Sequence, residues 1–356
     1  MLIKQTDKST KNIWRYANLY SPFIEERYRL TLGEGGSRLM EIPGINAELS
    51  THGAKRRIIF KREDENPAGS HKARALAYQV SYYRSKQHKT LLISSSGNAA
   101  IAAAKYCAHA GITLISFIDE KTNKAKLNEI LKTGQPVIFC TKPINFAKYA
   151  ARIFDIPNLR PSHDDLSIEP YKSIAFEIFE ELGESVDAVF VFPTSASSLI
   201  GIAKGFIQLT DSLHEMKKPP KVIAVQTGEI TSIAKEFAGE TGAATKEAQV
   251  AGALGVKTTR RTNEAVETIR RVGGSGVIVS ADEIRRADDI LRSHGITTSI
   301  EGAANFAGVI RMGDIKNAVC LLTGRDYPET VETVDGNTFH AESYTDIKNI
   351  VEKIKL

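Results

Sequence analysis

The stretch K-T-L-L-I-S-S-S-G-N-A-A-I-A-A-A-K-Y-C-A-H-A-G-I-T-L-I-S-F-I, residues 89–118, decides the fold. Lys89 to Ser94 is a short apolar run of the kind that forms a buried strand. Ala99 to Ala110 is rich in alanine and reads as a helix, and Ile112 to Ile118 reads as a second strand. Strand, helix and strand in this order make the unit of a parallel sheet. The alternation continues with helix Lys124 to Leu131 and strand Pro136 to Cys140, then helix Tyr171 to Leu182 and strand Ala188 to Phe192. Helix Leu199 to Leu213 and strand Lys221 to Gln226 follow. A late unit has strand Val277 to Val279, and a helix opened by Ser280 with Glu283 three residues on, the pattern of a capping box. Strand Ala318 to Leu322 and an amphipathic helix, Tyr344 to Ile354, come last. The expected architecture is α/β, with mostly parallel sheets flanked by helices. Ligands of such sheets sit at the loops that leave the carboxyl ends of strands.

With 356 residues, the chain has room for about one to three domains. Hydrophobic residues are 42% and charged residues 25%, which excludes a disordered or fibrous chain. The 47 Lys and Arg against 42 Asp and Glu leave a net charge of +5, too small an excess to call for a nucleic-acid partner. Lys55-Arg56-Arg57 and Arg260-Arg261 are short and read as solvated surface. The three cysteines are too few and too scattered for a disulfide framework or a zinc pair, and Cys107 and Cys320 read as buried thiols. The eight histidines show no HExxH spacing, so no metal site is expected. Met1 to Asn18 is polar and no run of 18 apolar residues follows, so neither secretion nor membrane insertion is expected. A cytoplasmic enzyme is the default. Gly239 to Gly255 reads as a long loop near the site or a surface excursion.

Four segments have the makings of a site. In Asn66-Pro67-Ala68-Gly69-Ser70-His71-Lys72-Ala73-Arg74, a Pro/Gly turn delivers Lys72 into the first turn of a helix. The positive end of a helix favours the neutral amine, which is the form that makes a Schiff base. Alternatively, Lys72 is a solvated side chain after a surface turn. Ser94-Ser95-Ser96-Gly97-Asn98 follows a strand and opens a helix, which suits a bound carboxylate or phosphate and equally an ordinary capped turn. Pro193-Thr194-Ser195-Ala196-Ser197-Ser198 repeats that geometry with the same two readings. Leu321-Leu322-Thr323-Gly324 ends the last strand of the sheet with a hydroxyl.

Together the four resemble the fold-type II pyridoxal-phosphate (PLP) enzymes, the tryptophan synthase β-like family, and within it most closely the threonine synthases. Asn66 to Arg74 stands where the family has N-P-T-G-S-F-K-D-R, and Ser95-Ser96-Gly97-Asn98 where it has S-[ST]-G-N. Leu32-Gly33-Glu34-Gly35 with Leu39 resembles the opening L-G-E-G-x-T-P-L. Ser280 to Ile284 resembles S-D-E-E-I, and Ser299 to Ala304 resembles E-P-[AS]-[GS]-A-A. The resemblance implies a single catalytic unit over residues 1–356 with two lobes. Residues 86–187 would form the smaller lobe, with the carboxylate loop. Residues 1–85 with 188–356 would form the larger, with the lysine, the phosphate loop and the pyridine contact.

The implied roles follow residue by residue. Lys72 forms the Schiff base with PLP, and Asn98 contacts the 3′ oxygen of the cofactor. Thr194, Ser195, Ala196, Ser197 and Ser198 hold its phosphate, and Thr323 faces its pyridine nitrogen. Ser95, Ser96, Gly97 and Asn98 bind the substrate carboxylate. The implied activity is a lyase or synthase that eliminates or replaces a β or γ substituent of a small amino acid, phosphorylated in the threonine synthases. The alternatives are a β-replacement synthase, a serine/threonine dehydratase, or a non-catalytic PLP-binding relative. A nucleotide-binding oxidoreductase is disfavoured, because Gly273-Gly274-Ser275-Gly276 precedes a strand instead of following one. Homodimers are common in the family.

The departures from the pattern are specific. His71 replaces Phe, as a proton relay, a substrate contact or simply packing. Ala73 replaces Asp, and Ser37-Arg38 replaces Thr-Pro. Ser195-Ala196-Ser197-Ser198 replaces the glycine-rich phosphate loop, where side chains would crowd the close approach that glycine permits. Lys257, Arg260 and Arg38 are candidates for a substrate phosphate or sulfonate, or else surface cations.

Overall fold

A computed structural model describes residues 6, 9–50, 55–228, 231–237, 259–328 and 331–355. Lys257 and the 239–255 stretch lie outside the described residues. In chain order the first half has β1 (Leu39–Glu41), α1 (Pro43–Glu48), β2 (Arg57–Lys61), α2 (Lys72–Ser85), β3 (Thr90–Ser94) and α3 (Asn98–Ala110). Then come β4 (Thr113–Ile118), α4 (Lys124–Leu131), β5 (Val137–Phe139), α5 (Pro143–Phe154) and α6 (Lys172–Leu182). The second half has β6 (Ala188–Val191), α7 (Ser197–Ile207), β7 (Lys221–Thr227), α8 (Thr262–Arg271), β8 (Ser275–Val279) and α9 (Ala281–Ser293). It ends with α10 (Ile300–Arg311), β9 (Asn317–Leu321), β10 (Thr338–His340) and α11 (Tyr344–Lys355). The strands and helices read from the apolar pattern are present, with ends shifted by a few residues. The largest shift is in α7, which stops at Ile207 before a π-helical turn over Gln208–Ser212.

The chain forms two compact units. One comprises Met1–Tyr16, Gly35–Asn66 and Ile168–Asp326; the other comprises Ala17–Glu34, Pro67–Ser167 and Tyr327–Leu356. The boundaries at 85 and 187 expected from the sequence do not coincide with these. Residues 67–85 group with 86–167 because α2 packs on α3, and 168–187 group with the later sheet because α6 packs on α7. The carboxyl-terminal residues belong with 67–167, because β10 pairs with β5 and α11 packs on α5. Lys72 therefore falls in the unit that carries the carboxylate loop, contrary to the expected division.

The first unit holds a six-stranded sheet in the order β1-β2-β9-β6-β7-β8. All its pairs are parallel except β1 with β2. The inner strands β6 and β9 are buried almost throughout, as strands covered on both faces must be. On one face Phe60, Phe190, Ile223 and Val225 pack with Ala303, Phe306 and Leu291, and the rings of Phe60 and Phe306 meet edge-on, 5.4 Å between centroids. Burying each large side chain of this kind stabilises the unit by about 2 kcal/mol. A buried ion pair, Lys61 Nζ to Glu177 Oε2 at 2.7 Å, is completed by Gly36 N–H donating to Glu177 Oε1 at 2.9 Å.

The second unit holds a parallel sheet in the order β10-β5-β4-β3. Leu92, Ile115, Phe117 and Ile138 pack on one face with Phe146 and Ala150 of α5 and with Ile347 and Val351 of α11. Helix α3 buries every residue from Ala99 to Ala104, and α2 buries every residue from Lys72 to Ser81. A helix buried over so long a run, charged side chains included, has to satisfy those side chains within the protein.

Glycine sets the spacing of α6 and α7. A Cβ at Gly201 would lie 2.4 Å from the Ile168 carbonyl oxygen and 2.6 Å from Tyr171 Cβ. Gly201→Ala is therefore expected to destabilise the protein by about 1–3 kcal/mol. Gly313→Ala, whose Cβ would meet nothing nearer than the Ile310 carbonyl at 3.9 Å, should change stability little in the same urea denaturation series.

Candidate active site

The lysine turn is built by local chemistry. Asn66 donates from Nδ2 to the Glu63 carbonyl at 2.8 Å and accepts at Oδ1 from Gly35 N–H at 3.0 Å, which fixes the start of the turn. Gly69 has φ 74°, a left-handed conformation that glycine adopts without strain. Ser70, fully buried, accepts from Lys72 N–H at 3.3 Å, and Lys72 opens α2 with 7% of its surface exposed. The solvated-lysine reading is thereby removed: Lys72 is buried at the positive end of a 14-residue helix. His71 is the N-cap residue, also buried, and its side chain makes no cap bond.

The Ser95–Asn98 loop leaves β3 in the same unit. Ser95 Oγ accepts from Gly97 N–H at 3.3 Å, and Ser96 makes no hydrogen bond among the described residues. The N-cap of α3 is Gly97, which has no side chain to satisfy the first helical N–H groups. Asn98 Oδ1 is buried with no hydrogen-bond partner among the described residues. Lys72 and Asn98 are thus the first residues of two helices that pack on each other.

The other unit carries Thr194–Ser198 and Thr323. Strands β6 and β9 are parallel neighbours, so the loops after them leave from the same edge of one sheet. Ala196 is the N-cap of α7 and holds φ 64°, ψ −8°. This is the left-handed conformation that glycine would supply, kept here with a methyl group at a cost of about 1–2 kcal/mol. Ser195 Oγ donates to Ser197 Oγ at 3.3 Å, while the hydroxyls of Thr194 and Ser198 make no hydrogen bond among the described residues. Thr323 is buried, and Gly324 beyond it is held by Thr298 Oγ1 at 3.1 Å and Ser299 N–H at 2.7 Å, both donating to its carbonyl.

Serines elsewhere show the contrast. Ser280 accepts from Glu283 N–H at 3.2 Å while Glu283 returns a bond to Ser280 N–H, and Ser299 accepts from Gly302 N–H at 3.4 Å. Those two cap helices. Ser96, Thr194 and Ser198 make no such side-chain bond among the described residues, so plain capping does not account for them.

The remaining candidates fall outside this chemistry. Arg38 is exposed and bonded through Nε and Nη2 to Glu65, and Arg260 is exposed. Gly35 in the opening motif has a packing reason, since a Cβ there would lie 2.8 Å from Ile13 N. Glu34 is buried and accepts from Tyr106 and from Leu32 N–H at 2.9 Å, and burial raises its carboxyl above the usual range. One contact that no local pattern announces is Thr259 Oγ1, which donates to the Ser195 carbonyl at 3.2 Å and braces the 194–198 loop.

If the loop keeps glycine's backbone shape, replacing Ala196 tests it. Ala196→Gly should raise stability by up to about 1 kcal/mol, the left-handed strain less glycine's extra unfolded-state entropy. Ala196→Val, branched at Cβ, should lower it by more than that, both read by denaturant titration.

Residues 30–324 match the model of a family described as pyridoxal-phosphate dependent enzyme. The chain is 28% identical to a threonine synthase of Methanosarcina acetivorans over 344 residues, covering 90% of this chain and 81% of that protein. It is 29% identical to a threonine synthase of Halalkalibacterium halodurans over 336 residues, covering 89% of this chain and 90% of that one. Among solved structures, maize serine racemase superposes with a TM-score of 0.69 at 16% identity, covering 90% and 96% of the two chains. The processed form of threonine deaminase isoform 2 from Solanum lycopersicum also gives 0.69, at 19% identity, covering 82% and 80%. These likenesses establish the fold-type II architecture. With a family match across the span that holds every motif quoted above, the chain belongs to the pyridoxal-phosphate dependent enzymes.

Proposed function

We propose that the protein is a PLP-dependent lyase of the threonine synthase kind, removing or replacing a β or γ substituent of a small amino acid. The observation that carries this reading is the placement of Lys72, a buried amine at the first residue of a helix packed on the helix that Asn98 opens. The fit to the cofactor rests on groups with bonding capacity to spare. These are the buried Asn98 Oδ1, the hydroxyls of Thr194 and Ser198, and the helix start behind Ala196, whose backbone shape substitutes for glycine.

Bound there, pyridoxal phosphate supplies a conjugated ring that stabilises negative charge at the substrate's α-carbon. Thr194 to Ser198 hold the phosphate, with Thr259 bracing their backbone. Asn98 and Thr323 would hold the ring, Asn98 through its amide and Thr323 through a hydroxyl, an uncharged group that would not draw a proton onto the ring. Ser95, Ser96 and the N–H groups of Gly97 and Asn98 bind the substrate carboxylate. Lys72 holds the cofactor and moves the proton at the substrate's α-carbon. Burial of the site around Lys72 keeps water from competing for that proton.

The finer reading has a phosphorylated amino acid as substrate, in line with the threonine synthases the chain is similar to. It includes the homodimer common in the family and a cytoplasmic setting. Cys107, Cys140 and Cys320 are free and buried, which suits a reducing compartment, and burial pushes the Cys140 thiol up to about 11. No helix among the described residues is long and apolar enough to cross a membrane.

Borohydride reduction followed by peptide mapping is the decisive measurement. The purified protein should be yellow, lose its visible band on reduction, and carry the label on Lys72. Lys72→Ala should lose the band and at least about a thousandfold in turnover of O-phosphohomoserine while unfolding at a similar temperature. A colourless protein that takes up no added PLP, or a label on another lysine, would refute the proposal.

A further inference from the structure

The segment after α5 runs beside β3 in the same unit. Asn158 is bridged to Leu92 in parallel, with Leu92 N–H donating to the Pro157 carbonyl at 3.0 Å and Leu159 N–H donating to the Leu92 carbonyl at 2.9 Å. That register sets Arg160, two residues past Asn158, against Ser94, two residues past Leu92. Asn158 Oδ1 holds it there by accepting from Arg160 N–H at 3.1 Å. The guanidinium donates from Nη1 to the Ser94 carbonyl at 2.6 Å and to Ser94 Oγ at 3.2 Å, and from Nε to Ser162 Oγ at 2.9 Å. Ser94 is the last residue of β3 and the root of the Ser95–Asn98 loop.

Every one of these acceptors is neutral. Arg160 is partly buried, and burial alone pulls its ionisation below the ordinary value, with no acid opposing it. Asp164, the acidic neighbour nearest in sequence, turns its carboxylate to Gln79 Nε2 at 2.7 Å, Tyr83 Oη at 3.2 Å and Leu166 N–H at 3.0 Å. Among other sheltered arginines, Arg15 pairs with Glu180 and Arg62 with Asp64, whereas Arg56, like Arg160, bonds neutral carbonyls, in its case those around the end of α10 and away from any open loop. A desolvated cation without an acid costs stability unless an anion completes it. The open hydrogen-bonding groups two to four residues past Ser94, Ser96 and the start of α3 without a side-chain cap, are of the kind that bind one.

We propose that Arg160 is a positioning residue that supplies the positive charge for the carboxylate loop: it grips Ser94, and its field holds the α-carboxylate of the amino-acid substrate at Ser95–Asn98. The inference rests on the reading of that loop given under the proposed function, and it deepens it. The loop's own groups are neutral, so selection of an ionised carboxylate over an uncharged group falls to Arg160.

Calorimetric titration of the holoenzyme with L-alanine and with ethylamine tests this. L-Alanine has the amine and the carboxylate but no leaving group, and ethylamine is the same molecule without the carboxylate. Wild type should bind L-alanine more tightly. Arg160→Gln, which can still donate a hydrogen bond, should weaken L-alanine about tenfold, leave ethylamine unchanged and keep its PLP content. Arg160→Lys, which keeps the charge, should stay within about threefold of wild type for both. Arg160→Met is the second charge-free variant should Arg160→Gln fail to fold. An unchanged preference for L-alanine in the charge-free variant, or a loss in Arg160→Lys equal to that in Arg160→Gln, would overturn the assignment of charge to Arg160 while leaving the enzyme reading intact. A wild type that binds neither ligand would instead overturn both.

Discussion

A helix leaves its first N–H groups without partners inside the helix, and something outside must meet them. In this protein that rule separates the serines that cap helices from those proposed to bind ligand. At α9 and α10 a serine turns back and caps the helix, with Ser280 and Glu283 satisfying each other reciprocally. At α3 and α7 the cap positions are Gly97 and Ala196, which have no polar side chain to return a cap bond. The parallel sheets make such places recur, because each strand hands the chain to a helix at its carboxyl end. The cofactor and substrate chemistry assigned to this chain depends on those open helix starts.

Ala196 reconciles this chain with the family pattern. Side chains in place of the glycines would restrict close approach to a phosphate. The backbone nevertheless takes the left-handed turn at Ala196, with the methyl group, the smallest side chain available, as the only addition. Around it Ser195 and Ser197 bond each other, and Thr259 secures the Ser195 carbonyl. What the loop gives up in glycine it can regain in hydroxyl donors, with the backbone direction preserved. The strain is local and sits where a bound anion would be held, as strained backbone in functional loops commonly does.

Much of the fold was legible because buried strands of parallel sheets read as continuous apolar runs, and β3, β4, β6 and β9 are of that kind. Strands β1 and β10, three residues each with partly exposed side chains, lack that signature and exist because a neighbour offers its edge. The division into two units has no local signature for the same reason. The return of residues 327–356 to the earlier sheet depends on β10 pairing with β5 and α11 packing on α5, neither of which has a local cause. Lys72, the 95–98 loop and the 194–198 loop were readable because each is a turn followed by a helix start, encoded within about nine residues of sequence.

Arg160 and Thr259 were not readable. Each acts on a residue more than sixty positions away, Ser94 and Ser195 respectively, and nothing in Leu159-Arg160-Pro161 or Thr258-Thr259-Arg260 distinguishes a surface residue from one pressed against a loop. The sequence by itself determined the alternation of strand and helix, the turn chemistry that begins α2, α3 and α7, and the place of Lys72 in the first turn of α2. Tertiary structure alone decided that Lys72 is buried, that Asn98 Oδ1 is buried without a partner among the described residues, and that Arg160 meets Ser94 without an acid. Those are properties of register and burial, which arise only when distant segments pack and exclude water.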